Sequence, residues 1–236
     1  MIKLIDYSKT YNGKDFVVEG LNLSVEKGDI FGFIGHNGAG KTTTIKSIVG
    51  ILDFEKGDIL IDGVSIKKNP IACKQIMCYV PDNPEIYDNL TGLQYIHFIC
   101  DLFGVSKENR LEKIEKYCKE LELEGVLNDL ISSYSHGMKQ KLVLIASLVH
   151  EPKIMILDEP FVGLDPKASF NLKKIMKDFC NNGGSIFFST HVLEVAQKLC
   201  NKIAIIKEGK IVVEGKVSEL TKKQSLEDIF MEQADE

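Results

Sequence analysis

No apolar run in this sequence approaches the roughly 20 residues a helix needs to cross a bilayer. The longest, Leu142 to Val149, contains Ala146 and Ser147 and has the length of a core helix. The opening MIKLIDYSK lacks the apolar stretch and small-residue cleavage site of a secretory signal. A basic surplus is missing too. Lys plus Arg number 29 against 34 Asp plus Glu, for a net charge of −5 and a pI near 5.6. That balance argues against a general nucleic-acid footprint, and no nucleic-acid partner is expected. The six cysteines (73, 78, 100, 118, 180 and 200) form no CxxC pair and no metal spacing, so they read as buried, reduced thiols of a cytosolic protein. Internal repeats, low-complexity linkers and a G-x-G-x-x-G loop are all absent. The last of these absences counts against a dinucleotide or kinase-type site.

What is present suits one large α/β domain. The chain has 236 residues, 44% hydrophobic and 27% charged, enough to bury a sizeable core. Residues 1–30 alternate polar and apolar around Asn12-Gly13, the pattern of antiparallel strands near an edge. GDIFGFIG reads as a short buried strand. Ile45, Ile48, Val49 and Leu52 then recur at helical spacing, and GDILIDGV at 57–64 reads as another strand. From about 90 to 150 the pattern is helical. One face carries Leu93, Ile96, His97 and Cys100; a second, Leu111, Ile114, Cys118 and Leu121; a third, Met138, Leu142, Ile145 and Val149. Strands return as KIMIL, SIFFS, KIAII and KIVVEG. Helices between the first three of these, marked by Leu172, Ile175, Met176 and Phe179 and by Val192, Val195, Ala196 and Leu199, argue a mostly parallel sheet covered by helices. A hairpin turn is expected at Lys207-Glu208-Gly209-Lys210.

The chemistry begins at GHNGAGKT, Gly35 to Thr42, which fits G-x-x-x-x-G-K-[ST] between a strand and a helix. Glycines let such a loop wrap so that backbone N–H groups point at phosphate oxygens, and the helix start adds positive partial charge. Lys41 is placed to reach the outer phosphates, and the Thr42 hydroxyl to ligate Mg²⁺. IMILDEP puts Asp158 and Glu159 at the carboxyl end of a buried strand, where open sheets bind ligands. Asp158 is then a candidate for holding Mg²⁺ and Glu159 for orienting or deprotonating water. His191 ends the next strand and is a third candidate. The stretch YSHGM, residues 134–138, puts small polar residues before a second helix, which by itself means no more than a capped helix.

Taken in order, these elements resemble the nucleotide-binding subunit of an ATP-binding cassette (ABC) transporter, with a C-terminal SLEDIFME similar to bacterial exporters of the ABC-2 kind. The resemblance covers about residues 2 to 230. It implies a P-loop NTPase core (1–85 and 151–215) with an N-terminal antiparallel β-subdomain, an inserted α-helical lobe (86–150) and a helical tail (216–236). It implies ATP bound by Gly35, His36, Asn37, Gly38, Ala39, Gly40, Lys41, Thr42 and Thr43, with Tyr11 stacked on adenine. Asp82 stands where the family has its Q-loop glutamine and is a candidate Mg²⁺ ligand beside Thr42 and Asp158. YSHGM stands where the family has LSGGQ, with His136 and Met138 departing from that pattern. In the family two cassettes close head to tail, so Ser135 and Gly137 would meet the partner's nucleotide, and residues 163–165 resemble the D-loop. The implied activity is ATP hydrolysis with Lys41, Glu159 and His191 as catalytic residues. It would drive transport, in the export direction, through separate transmembrane permease subunits at the cytoplasmic face of the membrane. The partners are those permeases and a second cassette, with segment 83–103 (Tyr87, Leu90, Tyr95, Phe98) as the docking region. A non-transport ABC ATPase, translation- or DNA-associated, is the alternative.

Overall fold

The protein is described here by a computed structural model covering residues 1–235. Glu236, the end of the tail expected over 216–236, lies outside the described residues. Strands β1 (Ile2–Thr10) and β2 (Phe16–Val25) pair antiparallel. They are followed by β3 (Ile30–Ile34), α1 (Lys41–Ile48), β4 (Lys56–Ile61), β5 (Val64–Ser65), α2 (Pro70–Gln75) and β6 (Met77–Val80). The helical stretch comprises α3 (Gly92–Leu102), α4 (Lys107–Glu120) and α5 (His136–Val149). The chain returns through β7 (Ile154–Asp158), α6 (Pro166–Asn181), β8 (Ser185–Thr190), α7 (Leu193–Leu199), β9 (Lys202–Lys207) and β10 (Lys210–Lys216), and ends in α8 (Val217–Leu220) and α9 (Leu226–Asp235).

Two sheets result. The antiparallel one runs β2-β1-β4-β5, and the larger one β10-β9-β3-β8-β7-β6. In the larger sheet β9, β3, β8, β7 and β6 are parallel, and β10 closes one edge antiparallel. Its turn has the left-handed pair Glu208 (φ 49°) and Gly209 (φ 76°), which suits a tight hairpin. Each central strand sends alternate side chains to opposite faces. Phe31 and Phe33 of β3 meet Phe187 of β8 on the side of α1 and the antiparallel sheet, with ring centroids 5.8 and 5.3 Å apart. Ile30 and Ile34 join a second core with α3, α4, α5, α6 and α7 on the other side.

Local chemistry sets the helix boundaries. Thr91 and Gln94 form a reciprocal capping box at α3. Asp165 caps α6, with Pro166 next. The structure departs from the sequence reading in several places. Helix α1 stops at Ile48, and the left-handed Gly50 (φ 66°) turns the chain, so Leu52 lies outside it. The 57–64 strand is a hairpin of β4 and β5. Helix α2 and strand β6 were not anticipated. Leu111 is 64% exposed although it shares the Ile114 face pattern. All six cysteines are free and buried, as expected. Among the described residues no helix is long and apolar enough to cross a membrane.

Candidate nucleotide site

The carboxyl ends of β3, β8 and β7 lie side by side, and each delivers one part of the site. The loop after β3 wraps through left-handed Gly38 (φ 84°) and Gly40 (φ 106°). A Cβ on Gly35 would stand 2.6 Å from the Ile206 carbonyl, and one on Gly40 2.8 Å from Val18 Cγ2. Space as well as φ therefore demands glycine at Gly40. Among the described residues no side chain caps the start of α1, so its first N–H groups remain available to an anion. The buried Lys41 curls back over the loop. Its Nζ donates to the carbonyls of Gly35 (2.6 Å) and His36 (3.2 Å) and lies 3.6 Å from Glu159 Oε1.

Across the site, Ser189 of β8 stands opposite Asp158 of β7. Its hydroxyl donates to Asp158 Oδ1 (2.5 Å) and accepts the Glu159 N–H (3.0 Å). Asp158 is 2% exposed. Burial pushes its carboxyl above the usual range, against hydrogen bonds from Ser189 and Thr42; the charges of Asp82 and Glu159 push the same way. Glu159 adopts φ 48°, a costly conformation for a non-glycine residue that is found at functional sites. Among the described residues its Oε1 has no hydrogen-bond partner. Its Oε2 lies 3.1 Å from His191 Nδ1 and 3.4 Å from the His191 N–H. Loop lysine, carboxylates and histidine are thus brought together.

Asp82 is exposed after β6. It lies near enough to Asp158 that both carboxylates, after burial, raise the Tyr79 phenol. Among the described residues no three His, Cys, Asp or Glu side chains form a metal cluster. The Thr42 hydroxyl and the Asp158 carboxylate are hard oxygen donors, and Asp158 is a desolvated anion. This partial shell fits Mg²⁺, which keeps waters and substrate phosphates as its other ligands. Tyr11 is 62% exposed beside the loop, its hydroxyl 3.2 Å from Thr43 Oγ1.

Ser135 and Gly137 stand apart from this cluster in sequence and begin α5. Ser135 Oγ accepts the Met138 N–H at 3.3 Å. A Cβ on Gly137 would stand 2.5 Å from the Gly163 carbonyl, and one on Gly163 2.7 Å from the His136 ring. Glycine at 137 therefore has a reason within this chain. The segment after β7 is further tied to α5 by Lys141 Nζ and Asp165 Oδ2, 2.9 Å apart. The Ala168 N–H and this ammonium pull Asp165 down to about 2.

The match to the family model for ABC transporters runs over residues 18–162. The chain belongs to the ABC transporter family. The cassette is 34% identical over 221 residues to the ABC-type transporter ATP-binding protein EcsA of Bacillus subtilis (strain 168), covering 92% of this chain and 90% of that one. It is 34% identical over 227 residues to the bacitracin transport ATP-binding protein BcrA of Bacillus licheniformis, covering 94% and 72%. A solved ATP-binding subunit of an ABC transporter superposes with a TM-score of 0.95 at 30% identity, over 99% of both chains. The cassette has the P-loop NTPase fold and is an ATP-binding, ATP-hydrolysing transporter subunit.

Sequence reading passed over Ser189 and Lys141. A hydroxyl near the end of a buried strand and a lone cation entering an apolar helical run were the available signals. It also offered Tyr95 as a docking contact, whereas that ring is only 7% exposed in the core. Tyr87 (56%) and Phe98 (43%) are exposed, their rings edge to face at 5.6 Å.

Proposed function

We propose that this cassette drives substrate out of the cell through separate membrane-spanning subunits, acting as one of a pair of cassettes at the cytoplasmic face of the membrane. The observation that carries the catalytic assignment is the meeting of Lys41, Glu159 and His191 at adjacent strand ends. The loop 35–43 wraps the phosphates with its N–H groups, and Tyr11 stacks on adenine. Lys41 leaves its carbonyl contacts for the outer phosphates, which frees Glu159 from its nearest cation. Glu159 then accepts the proton of a water whose oxygen bonds to the terminal phosphorus, while the bond to the leaving ADP oxygen breaks. His191 holds Glu159 Oε2. Thr42, Asp158 and Asp82 would hold Mg²⁺, whose charge offsets that of the phosphates. Ser135 and Gly137 complete the partner cassette's site, aided by the start of α5.

Export is supported by the similarity to the SkfA peptide export ATP-binding protein SkfE of Bacillus subtilis (strain 168) and by the SLEDIFME tail. Docking of the membrane subunit on segment 83–103 is supported by the exposed Tyr87 and Phe98 pair. The test is Glu159→Gln, which keeps shape and loses the base. Turnover should fall by about 10²- to 10⁴-fold with ATP binding retained. Retained hydrolysis, with contaminating ATPases excluded, would put the base elsewhere.

A further inference from the structure

The C-terminal helix α9 lies outside the motifs assigned to the chemistry, yet it touches the phosphate loop. The Phe230 ring packs on the His36 ring, with centroids 4.7 Å apart and planes tilted by 51°. His36, Asn37 and Gly38 form the exposed crest of the loop. The feet of that crest are fixed from β9 and its hairpin turn. Gly35 abuts the Ile206 carbonyl, and the Gly209 N–H donates to the Ala39 carbonyl at 3.1 Å. Phe230 reaches the crest itself.

The helix that presents Phe230 is anchored. Leu226 is fully buried and Ile229 is 8% exposed in the core they share with α7. The Leu226 N–H donates to Gln197 Oε1 of α7 at 3.1 Å. Ser225 and Asp228 cap the helix start reciprocally, with the Asp228 N–H on Ser225 Oγ (3.1 Å) and the Ser225 N–H on Asp228 Oδ2 (2.9 Å). Helix α7 itself begins two residues after His191. Helix α9 therefore bridges the phosphate loop and the helix that follows the histidine.

We propose that α9 is a strap on the phosphate loop, with Phe230 as the positioning residue that holds the crest in its phosphate-accepting path. The inference rests on the phosphate-loop reading above and deepens it, because ATP affinity then depends on a helix outside the catalytic set. The physical route is short. The exposed crest residues His36, Asn37 and Gly38 carry the backbone N–H groups an anion needs, and a loose crest would disperse them. Preorganisation of this kind appears in affinity, and an aromatic pair is strong enough to change it by about 3- to 10-fold.

The experiment measures equilibrium binding of a fluorescent ATP analogue and steady-state hydrolysis for the full chain. The variants are Phe230→Ala, Phe230→Tyr, His36→Ala, the Phe230→Ala/His36→Ala pair and Lys41→Ala. Phe230→Ala should raise the dissociation constant and KM by about 3- to 10-fold, with kcat changed less than about two-fold. It should add no further loss in the His36→Ala background, and Phe230→Tyr should restore binding. An unchanged dissociation constant in Phe230→Ala, or the same penalty with and without the His36 ring, overturns the strap. Lys41→Ala separates the two readings. If it leaves binding intact, the phosphate-loop reading falls. If it weakens binding while Phe230→Ala does not, only the strap falls. Should Phe230→Ala fail to fold by its unfolding curve, Phe230→Leu takes its place, since it keeps apolar bulk for α9 and loses the flat ring.

Discussion

Mild acid should strip stability from this cassette through one imidazole. His150 forms the C-cap of α5. Its ring stacks on Phe103, with centroids 3.9 Å apart and planes at 10°, and its Nδ1 has no hydrogen-bond partner among the described residues. Burial pulls its pKa down to about 4, against roughly 6.5 in an unfolded chain. Above about pH 6.5 neither state holds the proton, and the full stability is present. Between about 6.5 and 4 the unfolded chain gains a proton that the native ring refuses, so stability falls as pH falls. The whole linkage amounts to about 3 kcal/mol, of which roughly 2 kcal/mol is lost between pH 7 and pH 5.

The perturbation is His150→Phe, which keeps a flat ring for Phe103 and removes the titration. His150 also lines a groove of about 290 Å³ with Tyr79, Ile99 and Phe103, so an apolar ring suits its surroundings. Urea unfolding of both proteins at pH 7, 6 and 5 gives the difference directly, because carboxylates common to both cancel. The wild type should lose about 2 kcal/mol more than the variant between pH 7 and 5. Curves that stay parallel to within about 0.5 kcal/mol would refute the reasoning, since the native ring would then take its proton as readily as the unfolded one.

Two further outcomes follow from the site. Gly137→Ala should cost about 1–3 kcal/mol by overpacking, because its Cβ would stand 2.5 Å from the Gly163 carbonyl. Gly125→Ala, with open space and no left-handed φ, should be neutral or gain about 0.4–1 kcal/mol; equal effects in denaturant unfolding would mean the approach is not rigid. Asp158→Asn should stabilise the nucleotide-free protein at neutral pH. Its raised native pKa means the carboxyl's contribution is full below the unfolded value and is lost as pH rises through the native one. The gap in melting temperature should open above roughly pH 4 while Mg²⁺-dependent ATP binding weakens. A variant less stable at every pH would reject the desolvation argument.

The parts of the fold that sequence revealed were those written in short-range periodicity. Alternation in β1 and β2, the buried runs of β7 and β8 and the 3.6-residue faces of α3 to α7 all carry their own signal. Strand β6 does not. Its four residues, MCYV, become a strand because Met77 to Val80 pair with Ile154 to Leu157 at the sheet edge, a contact made 77 residues away. Tyr95 and Phe98 sit three apart on one helix, and only the packing of α3 against α5 decides that the first is core and the second is surface. The phosphate loop and the Asp158-Glu159 pair were legible because backbone geometry and chemistry demand those residue types at those spacings. Ser189 meets Asp158 and Phe230 meets His36 across long stretches of the chain, contacts that no local pattern encodes.

The two helix starts that frame the proposed chemistry are built differently, and the difference bears on how a pair of cassettes would close. The start of α1 has no capping side chain and sits in a loop shaped by glycine, so it is prepared for an anion within its own chain. The start of α5 is capped by Ser135, but at 3.3 Å, near the long end of useful hydrogen bonds. Turning that exposed hydroxyl outward costs about 0.5–2 kcal/mol, and an incoming phosphate would meet the freed N–H in its place. The same turn is wedged against Gly163 and held through Lys141 to Asp165, which in turn caps α6. A partner arriving at α5 would therefore push on the segment that directly follows Asp158 and Glu159. In the proposed dimer that joint would carry the arrival of the second cassette back to the carboxylates of the first.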